Sequence, residues 1–287
     1  MITYFQAAVI GLVQGVSELF PISSLGHSVI LPSLLGWKLQ QGDSFFLTFL
    51  VSTHLATAIV LIGFFFKDWV RIIQGLGRSL FQREIKTDDT YARLGWLLVV
   101  GTVPAGVIGL ILQEPIQALF GSASLAALFL VVNGSLLYGA ELLRRRAPTS
   151  ELKSTPDQRL SGTLSWSKSF FIGTAQALSL IPGLSRSGSS MAGGLLAGLS
   201  NEDAARFSFL LATPVIAAAA ALKLPSLFLA ENRPLVGPAL LGALCAGITA
   251  YLSVRFLMRY FENNRLTPFA VYCVVAGIGS LLWLTLR

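Results

Sequence analysis

The chain of 287 residues is 54% hydrophobic and only 12% charged, whereas about 25% of the residues in an ordinary soluble domain are charged. With a mean hydropathy of +0.70, this composition excludes a soluble globular protein and indicates a polytopic membrane protein. A net charge of +7 would suggest nucleic-acid binding in a soluble protein, but here the basic residues lie between apolar runs, as orientation in a bilayer requires. We therefore expect the bilayer, and no nucleic acid, as a partner.

The chain is expected to form one integral membrane domain over 1–287. Its N-terminal stretch, MITYFQAAVIGLVQGVSE, has neither a basic segment nor a small-residue cleavage site, so we expect mature structure rather than a signal peptide. Six runs are apolar enough to cross about 30 Å of hydrocarbon as α-helices. These predicted transmembrane helices cover roughly 44–66, 94–112, 123–143, 204–222, 235–256 and 267–286. The predicted fold class is therefore all-α and multi-pass.

Two other runs, 2–37 and 169–200, are interrupted by polar residues, proline and glycine. Each is predicted to form a re-entrant hairpin of helix, break and helix, because unpaired backbone is tolerated at membrane depth only where it lines a cavity inside the protein. Each predicted hairpin precedes three predicted crossings. Because three is an odd number, the second half would be inverted relative to the first.

The distribution of Lys and Arg predicts which side of the membrane is cytoplasmic. Six lie in 67–93, six in the basic loop 144–168 and three in 255–266. With Arg206 they make sixteen, against four on the other side of the membrane. Because basic residues are enriched in cytoplasmic loops, the side with sixteen is predicted to be cytoplasmic. The first hairpin then enters from the outer side and the second from the cytoplasm.

An internal repeat with a shift of 162 residues supports this architecture. The matched positions are Gly11 and Gly173, Gln14 and Gln176, Ser17 and Ser179, Ser23 and Ser185, Gly26 and Gly188, and Ser28 and Ser190. The predicted pseudo-repeats cover approximately 1–143 and 169–287, joined by the basic cytoplasmic loop. Inverted repeats with broken helices commonly build a site near the midplane of the membrane. The alternative is that both halves independently use Gly and Ser for helix packing.

The first hairpin carries the segment QGVSELFPISSLGHS, 14–28. Gln14 and Glu18 are four residues apart on a helix, so their side chains lie on one face. A carboxylate in apolar surroundings is costly unless it is paired or binds a metal, which makes Glu18 a functional candidate. Ser24 and His27 follow on irregular backbone, as candidate nucleophile or base. Alternatively, Glu18 snorkels to the interface or is satisfied by the nearby serines.

The second hairpin carries IPGLSRSGSS, 181–190. Arg186 places a permanently charged guanidinium at bilayer depth between two serines, and adjacent glycines let a ligand approach the backbone closely. Such a segment is typical of a phosphate site. The candidate substrate-binding residues of the two hairpins are Gln14, Ser23, Gly26, Gly183, Ser185, Ser187, Gly188 and Ser190. The alternative is a purely structural ion pair between Arg186 and Glu18.

Together, a carboxylate, a hydroxyl, an imidazole and a guanidinium in an apolar protein match phosphoryl transfer from an amphiphile. Glu18 would hold a divalent cation or activate water, Arg186 would neutralise the transferred group, and Ser24 or His27 would act as nucleophile or base. A second histidine, His54, would hydrogen-bond a helix backbone or face the same cavity, and is not assigned to the site. The alternative function is a transporter or flippase of an anionic lipid, because broken helices in inverted repeats are typical of transporters.

The two polar segments resemble the signature motifs of the undecaprenyl-diphosphatase family, also called the bacitracin-resistance family. QGVSELFPISSLGHS is similar to the pattern (E/Q)GxTEFLPxSSxGH, and PGLSRSGSS is similar to PGxSRSGxT. Further similar stretches at 101–110 and 206–220 extend the likeness over nearly the whole chain.

The resemblance implies hydrolysis of undecaprenyl diphosphate to undecaprenyl phosphate on the outer side of the bacterial plasma membrane, which recycles the lipid carrier of cell-wall synthesis. It also implies a divalent cation, Mg²⁺ or Ca²⁺, and a homodimer. By position, Glu18 matches the family's catalytic glutamate, Ser24 the second serine of its SS pair, His27 its histidine and Arg186 its arginine. Gln14 stands where many members have Glu, so this chain does not match a two-carboxylate metal site at that position. Glu18 would then bind the cation with help from oxygens of Gln14 or Ser24.

Overall fold

The computed structural model describes residues 2–39, 44–112, 119, 121–144, 155–229 and 232–286. Within these ranges the chain is helical and contains no strand. In chain order the helices are α1 (Tyr4–Ser17), α2 (Ser24–Leu34), α3 (Ser44–Phe64), α4 (Phe66–Gln82), α5 (Thr90–Ile111), α6 (Ala123–Arg144), α7 (Pro156–Thr163), α8 (Trp166–Ala177), α9 (Arg186–Leu196), α10 (Asn201–Lys223), α11 (Arg233–Asn263) and α12 (Thr267–Thr285). The all-α prediction is confirmed.

Six of these helices are long and apolar enough to cross a membrane: α3, α5, α6, α10, α11 and α12. Each overlaps one of the six predicted crossings, so the prediction of a multi-pass membrane protein is confirmed. Lipid-facing side chains on these helices account for much of the exposed apolar surface, including Val103, Leu240 and Val275. This exposure is costly in water and favourable in hydrocarbon.

The two interrupted segments form two pairs of short helices, α1 with α2 and α8 with α9. The longest, α1, has 14 residues, which at 1.5 Å per residue is about 21 Å and too short for a bilayer core of about 30 Å. The helices of the first pair are separated by a turn at 18–23, and those of the second pair by a short 3₁₀ helix, Leu178–Leu180, and a turn at 181–185. Helix length does not test on which side each pair enters the membrane, so the re-entrant arrangement stays a prediction.

The second helix of each pair begins with the same cap at repeat-related positions. The hydroxyl of Ser23 accepts a hydrogen bond from the Gly26 N–H at 3.1 Å, and the hydroxyl of Ser185 accepts one from the Gly188 N–H, also at 3.1 Å. A capping serine satisfies an N–H group that the helix itself leaves without a partner. The matched serines and glycines of the sequence repeat therefore fix the start of α2 and of α9.

The first helix of each pair crosses a long helix at a repeat-related glycine. Gly11 of α1 lies against the backbone of Gly242 in α11, and Gly173 of α8 lies against the backbone of Gly101 in α5. In both places an added methyl group would overlap the facing carbonyl oxygen. Small residues allow such close helix approach in membranes. These matches favour the internal repeat, while the inversion of its second half stays a prediction.

The basic segments before α5 and before α8 contain two helices that the sequence did not predict, α4 and α7. The side chain of Arg206 in α10 joins both helices, with ion pairs of 2.8 Å to Asp68 in α4 and 2.9 Å to Asp157 in α7. These charge pairs lie too far apart in the sequence for hydropathy to reveal them. Residues 145–154 of the predicted loop lie outside the described residues.

The packing brings the two helix pairs together in the middle of the protein. Helix α1 packs on α11 and α8 packs on α5, while α2 and α9 both pack against α6. Helix α10 packs against α9 and α3. The two irregular turns therefore meet next to α6, with α3 and α10 along their other side.

We expect Gly11→Ala and Gly173→Ala each to lower the free energy of unfolding by about 1–3 kcal/mol or more, because the new methyl group has no room against the facing backbone. Gly63→Ala in α3 is the matched control, because nothing lies within 4 Å of an added methyl group there. Unfolding of the purified protein in detergent, followed by circular dichroism, measures the difference. Equal stability of Gly11→Ala and Gly63→Ala would contradict the close crossing.

Candidate active site

The irregular turns of the two helix pairs are hydrogen-bonded to each other. The Ser23 hydroxyl donates to the carbonyl oxygen of Leu184 at 3.1 Å, and the Ser187 hydroxyl donates to the carbonyl oxygen of Phe20 at 3.1 Å. Ser23 has a φ of 70°, an uncommon conformation for a residue other than glycine. Contacts on both sides hold this strained residue in place, which is typical of functional sites.

Asn133 of α6 lies between the two turns and binds both. Its side-chain N–H donates to the carbonyl oxygen of Pro21 at 2.9 Å, and its side-chain oxygen accepts from the backbone N–H of Ser185 at 3.0 Å. The residue is completely buried. Sequence reasoning missed it, although a single Asn inside the apolar run 123–143 is a signal, because a buried amide needs partners.

Glu18, at the end of α1, is the centre of the site. One carboxylate oxygen pairs with the guanidinium of Arg186, and the other accepts the hydroxyl of Ser24. The second oxygen also accepts the side-chain N–H of Gln14 at 2.9 Å, as expected for residues four apart on one helix face. The predicted meeting of an acid and a guanidinium from the two turns is therefore present in the structure.

Arg186 is the first residue of α9, and its side chain is 13% exposed, against 3% for Glu18. Besides the ion pair, its guanidinium donates to the carbonyl oxygen of Ala212 in α10 at 3.0 Å. A guanidinium with five N–H donors and two protein acceptors keeps donors for a ligand. Arg186 can therefore bind an anion while it stays paired with Glu18.

His54 of α3 fits both of the roles that the sequence left open. Its Nδ1 lies 2.7 Å from the carbonyl oxygen of Leu50, one turn back on the same helix. Its Nε2 lies 3.2 Å from the Glu18 oxygen that also accepts from Ser24. His54 therefore belongs to the site, although its sequence context alone did not assign it there.

His27 lies apart from this group. Its Nδ1 is 2.7 Å from the carbonyl oxygen of Ser23, and its Nε2 is 2.8 Å from the hydroxyl of Tyr272 in α12. Its ring lines a separate apolar groove with Ile30 and Trp283. The structure therefore does not bring His27 to Glu18, because the bond to Ser23 directs the ring along α2 toward α12. A role for His27 as base or nucleophile stays a prediction that this geometry does not support.

A cavity of about 300 Å³ opens beside Glu18 and Arg186. Polar groups from both turns and from α3 line part of this cavity, and the remaining wall is mostly apolar, with side chains such as Leu47, Val51 and Ile216. Pockets of this size and character bind small ligands and lipid headgroups with part of their chains. The cavity suits an amphiphile with a charged end.

The other predicted binding residues divide into two groups. Ser24 and Ser185 line the cavity with Glu18 and Arg186. The second group stabilises the protein framework through the caps and contacts described above. Two further contacts belong to it: Ser190 is hydrogen-bonded to Ser208 at 2.6 Å, and Gly183, with a φ of 104°, lies against the backbone of Ala126 in α6. The members of this group are Gln14, Ser23, Gly26, Gly183, Ser187, Gly188 and Ser190. Direct contact of this second group with a ligand stays a prediction.

The fold and the site define a multi-pass membrane protein in which two broken helical segments bring an acid, a hydroxyl and a guanidinium to the wall of one largely apolar cavity. The family model described as bacitracin resistance protein BacA matches residues 7–279. The chain is 47% identical over 304 aligned residues to the undecaprenyl-diphosphatase of Mycolicibacterium paratuberculosis, with 100% of this chain and 99% of that protein covered. It is 46% identical over 286 residues to the undecaprenyl-diphosphatase of Granulibacter bethesdensis, with 97% and 96% covered. The chain belongs to the bacitracin-resistance BacA family, as its two motifs indicated.

We expect Asn133→Leu to lower the free energy of unfolding by about 2 kcal/mol or more, because it leaves the Ser185 N–H without its partner and the Pro21 carbonyl with only the thiol of Cys273, at 3.8 Å. Ser135→Ala is the control on the same helix, since that exposed hydroxyl bonds only the carbonyl of Val131. Chemical unfolding in detergent measures both variants. If Asn133→Leu is as stable as Ser135→Ala, Asn133 does not join the two turns.

Proposed function

We propose that this protein hydrolyses undecaprenyl diphosphate to undecaprenyl phosphate and inorganic phosphate, and thereby recycles the lipid carrier of cell-wall synthesis. Its relatives from M. paratuberculosis and G. bethesdensis carry the name undecaprenyl-diphosphatase. The observation that carries the proposal is the contact of Glu18 with both Ser24 and Arg186. A hydroxyl next to a carboxylate base, with a guanidinium beside them, is an arrangement suited to phosphoryl transfer.

The shape of the cavity supports a lipid diphosphate as substrate. The charged and polar groups of the two turns offer a place for a diphosphate, and the apolar wall offers a surface for the first part of a polyprenyl chain. A transporter of the same lipid would need the cationic end but not a serine hydroxyl bonded to a carboxylate. The Ser24 contact therefore favours hydrolysis over transport as the function of this site.

The geometry supports Ser24 as the nucleophile. Glu18 accepts the hydroxyl proton of Ser24 while the serine oxygen attacks the terminal phosphorus. The bond from that phosphorus to the bridging oxygen breaks, and undecaprenyl phosphate leaves with the electron pair and takes the proton from Glu18. Arg186 donates to the phosphoryl oxygens and offsets their charge. Water then attacks the phosphoserine, giving its proton through Glu18 to the departing serine oxygen and releasing inorganic phosphate.

The contacts of Glu18 do not fit a divalent cation resident in the free protein. Mg²⁺ and Ca²⁺ require oxygen ligands, whereas both oxygens of Glu18 already accept from N–H and O–H donors. Among the described residues, no group of three His, Cys, Asp or Glu side chains is placed to hold a metal ion. Dependence of the activity on a divalent cation stays a prediction from the resemblance, and none of the steps above uses one.

We place the protein in the bacterial plasma membrane with its cavity open to the outer side. Lys and Arg are in excess in the segments that contain α4 and α7 and around the connection from α11 to α12. This excess supports a cytoplasmic position for these segments. Helix α10 begins on the same side as these basic segments and ends at Lys223, toward the opposite side. Because Lys223 lines the cavity, this direction supports a cavity open to the outer side. Association as a homodimer also stays a prediction from the resemblance.

We expect Glu18→Gln and Arg186→Lys each to lower the rate of phosphate release from undecaprenyl diphosphate by about 10²–10³-fold, because one removes the base and the other the bidentate phosphate donor. A colorimetric phosphate assay on the purified protein in detergent measures the rates. Ser135→Ala, a substitution outside the site, is the control for effects of purification and detergent. Rates of either variant within about twofold of the control would overturn the assigned roles.

We also expect rapid quenching of a single turnover to trap a phosphoryl group on Ser24. With substrate labelled in its terminal phosphate, peptide mapping should place the label on the peptide that contains Ser24, and Ser24→Ala should carry none. A full first turnover without any labelled protein would instead show that Glu18 activates water for direct attack.

A further inference from the structure

The groups around Glu18 point to an anion site that is complete without a metal ion. We propose that the free protein holds no divalent cation here and that it binds the diphosphate headgroup through donors on three residues: the guanidinium of Arg186, the imidazole of His54 and the ammonium of Lys223. The identity of the headgroup rests on the proposed function. The inference gives binding roles to His54 and Lys223, which neither motif contains.

The first argument is the number of donors on Glu18. A carboxylate has about four lone-pair positions, and Glu18 has four donor residues around it: Arg186 on one oxygen, and Ser24, Gln14 and His54 on the other. A cation could bind this carboxylate only by displacing at least one of these donors. It would also stand next to the positive charge of Arg186, which repels it.

The second argument is the placement of His54. Its Nδ1 lies 2.7 Å from the carbonyl oxygen of Leu50, and its Nε2 lies 3.2 Å from a carboxylate oxygen of Glu18. His54 also lines the cavity, so the edge of its ring that faces Glu18 is placed to donate to a phosphate oxygen. His27 differs, because its Nε2 faces the Tyr272 hydroxyl in a separate groove.

The third argument is Lys223 at the end of α10. It lines the same cavity as Glu18 and Arg186, one turn beyond Ala219 on the helix face that also carries Val215 and Ile216. Among the described residues, the structure gives its ammonium no ion pair and no hydrogen bond. Glu18 is the one carboxylate among the described residues of the lining. The cavity therefore carries an excess of positive charge, which attracts a multiply charged anion and repels a divalent cation.

Binding of Mn²⁺ to the purified full-length protein in detergent, followed by electron paramagnetic resonance, tests the absence of a cation site. The wild-type protein should show no stoichiometric Mn²⁺ binding below about 0.1 mM. Gln14→Glu adds a second carboxylate on the same helix face and should bind Mn²⁺ at least about tenfold more tightly. One tightly bound Mn²⁺ per wild-type chain that Glu18→Gln removes would overturn the proposal.

Binding of methylenediphosphonate, a diphosphate analogue that cannot be hydrolysed, tests the anion site in the presence of EDTA. Calorimetry should detect binding to the wild-type protein. His54→Leu removes the ring donor and Lys223→Gln removes the ammonium charge, and each variant should weaken binding by about three- to tenfold. Arg233→Gln is the charge-matched control, because Arg233 is exposed and does not line the cavity. Binding that requires Mg²⁺, or that falls equally in Arg233→Gln and Lys223→Gln, would overturn the proposal.

These measurements separate the inference from the proposed function. A protein that binds the diphosphonate in EDTA but does not release phosphate from undecaprenyl diphosphate would contradict only the proposed function. A protein that releases phosphate but binds the diphosphonate only with Mg²⁺ would contradict only the inference.

Discussion

The ion pair between Glu18 and Arg186 is the interaction on which the rest of the site depends. The two residues are 168 positions apart in the sequence and belong to different helix pairs. Either charge alone at this depth would cost several kcal/mol, because it would lose its hydration without gaining a counter-charge. Each irregular turn therefore supplies the opposite charge that the other turn needs at this depth. The cavity forms where the two turns meet.

The helices around this pair fix its position more firmly than the pair could by itself. Asn133 binds both turns, and the capping serines fix where α2 and α9 begin. Because these contacts use backbone groups of the turns, they place Ser24 and Arg186 on the two oxygens of one carboxylate. The donors that neutralise Glu18 in the free protein are also the donors that a phosphate can accept from.

The parts of this structure that follow local patterns could be predicted from the sequence. The six crossings followed from apolar length, and the contact of Gln14 with Glu18 followed from their spacing on one helix. The match of the two motifs at a shift of 162 residues brought Glu18 and Arg186 into one site. His54 and Asn133 escaped prediction because their roles depend on which helix packs beside the turns, and no local pattern carries that information. His27 was assigned from its proximity to Ser24 in the sequence, whereas one hydrogen bond to Ser23 turns its ring toward α12.

The coupling between Glu18 and Arg186 in the free energy of unfolding tests the central claim most directly. Glu18→Gln and Arg186→Gln are compared singly and together by chemical unfolding in detergent. Each single variant leaves a buried charge without its partner and should lose about 3–5 kcal/mol. The double variant leaves neither charge, so its loss should be smaller than the sum of the two by about 2 kcal/mol or more. Losses that add to within about 0.5 kcal/mol would show that the two side chains do not meet.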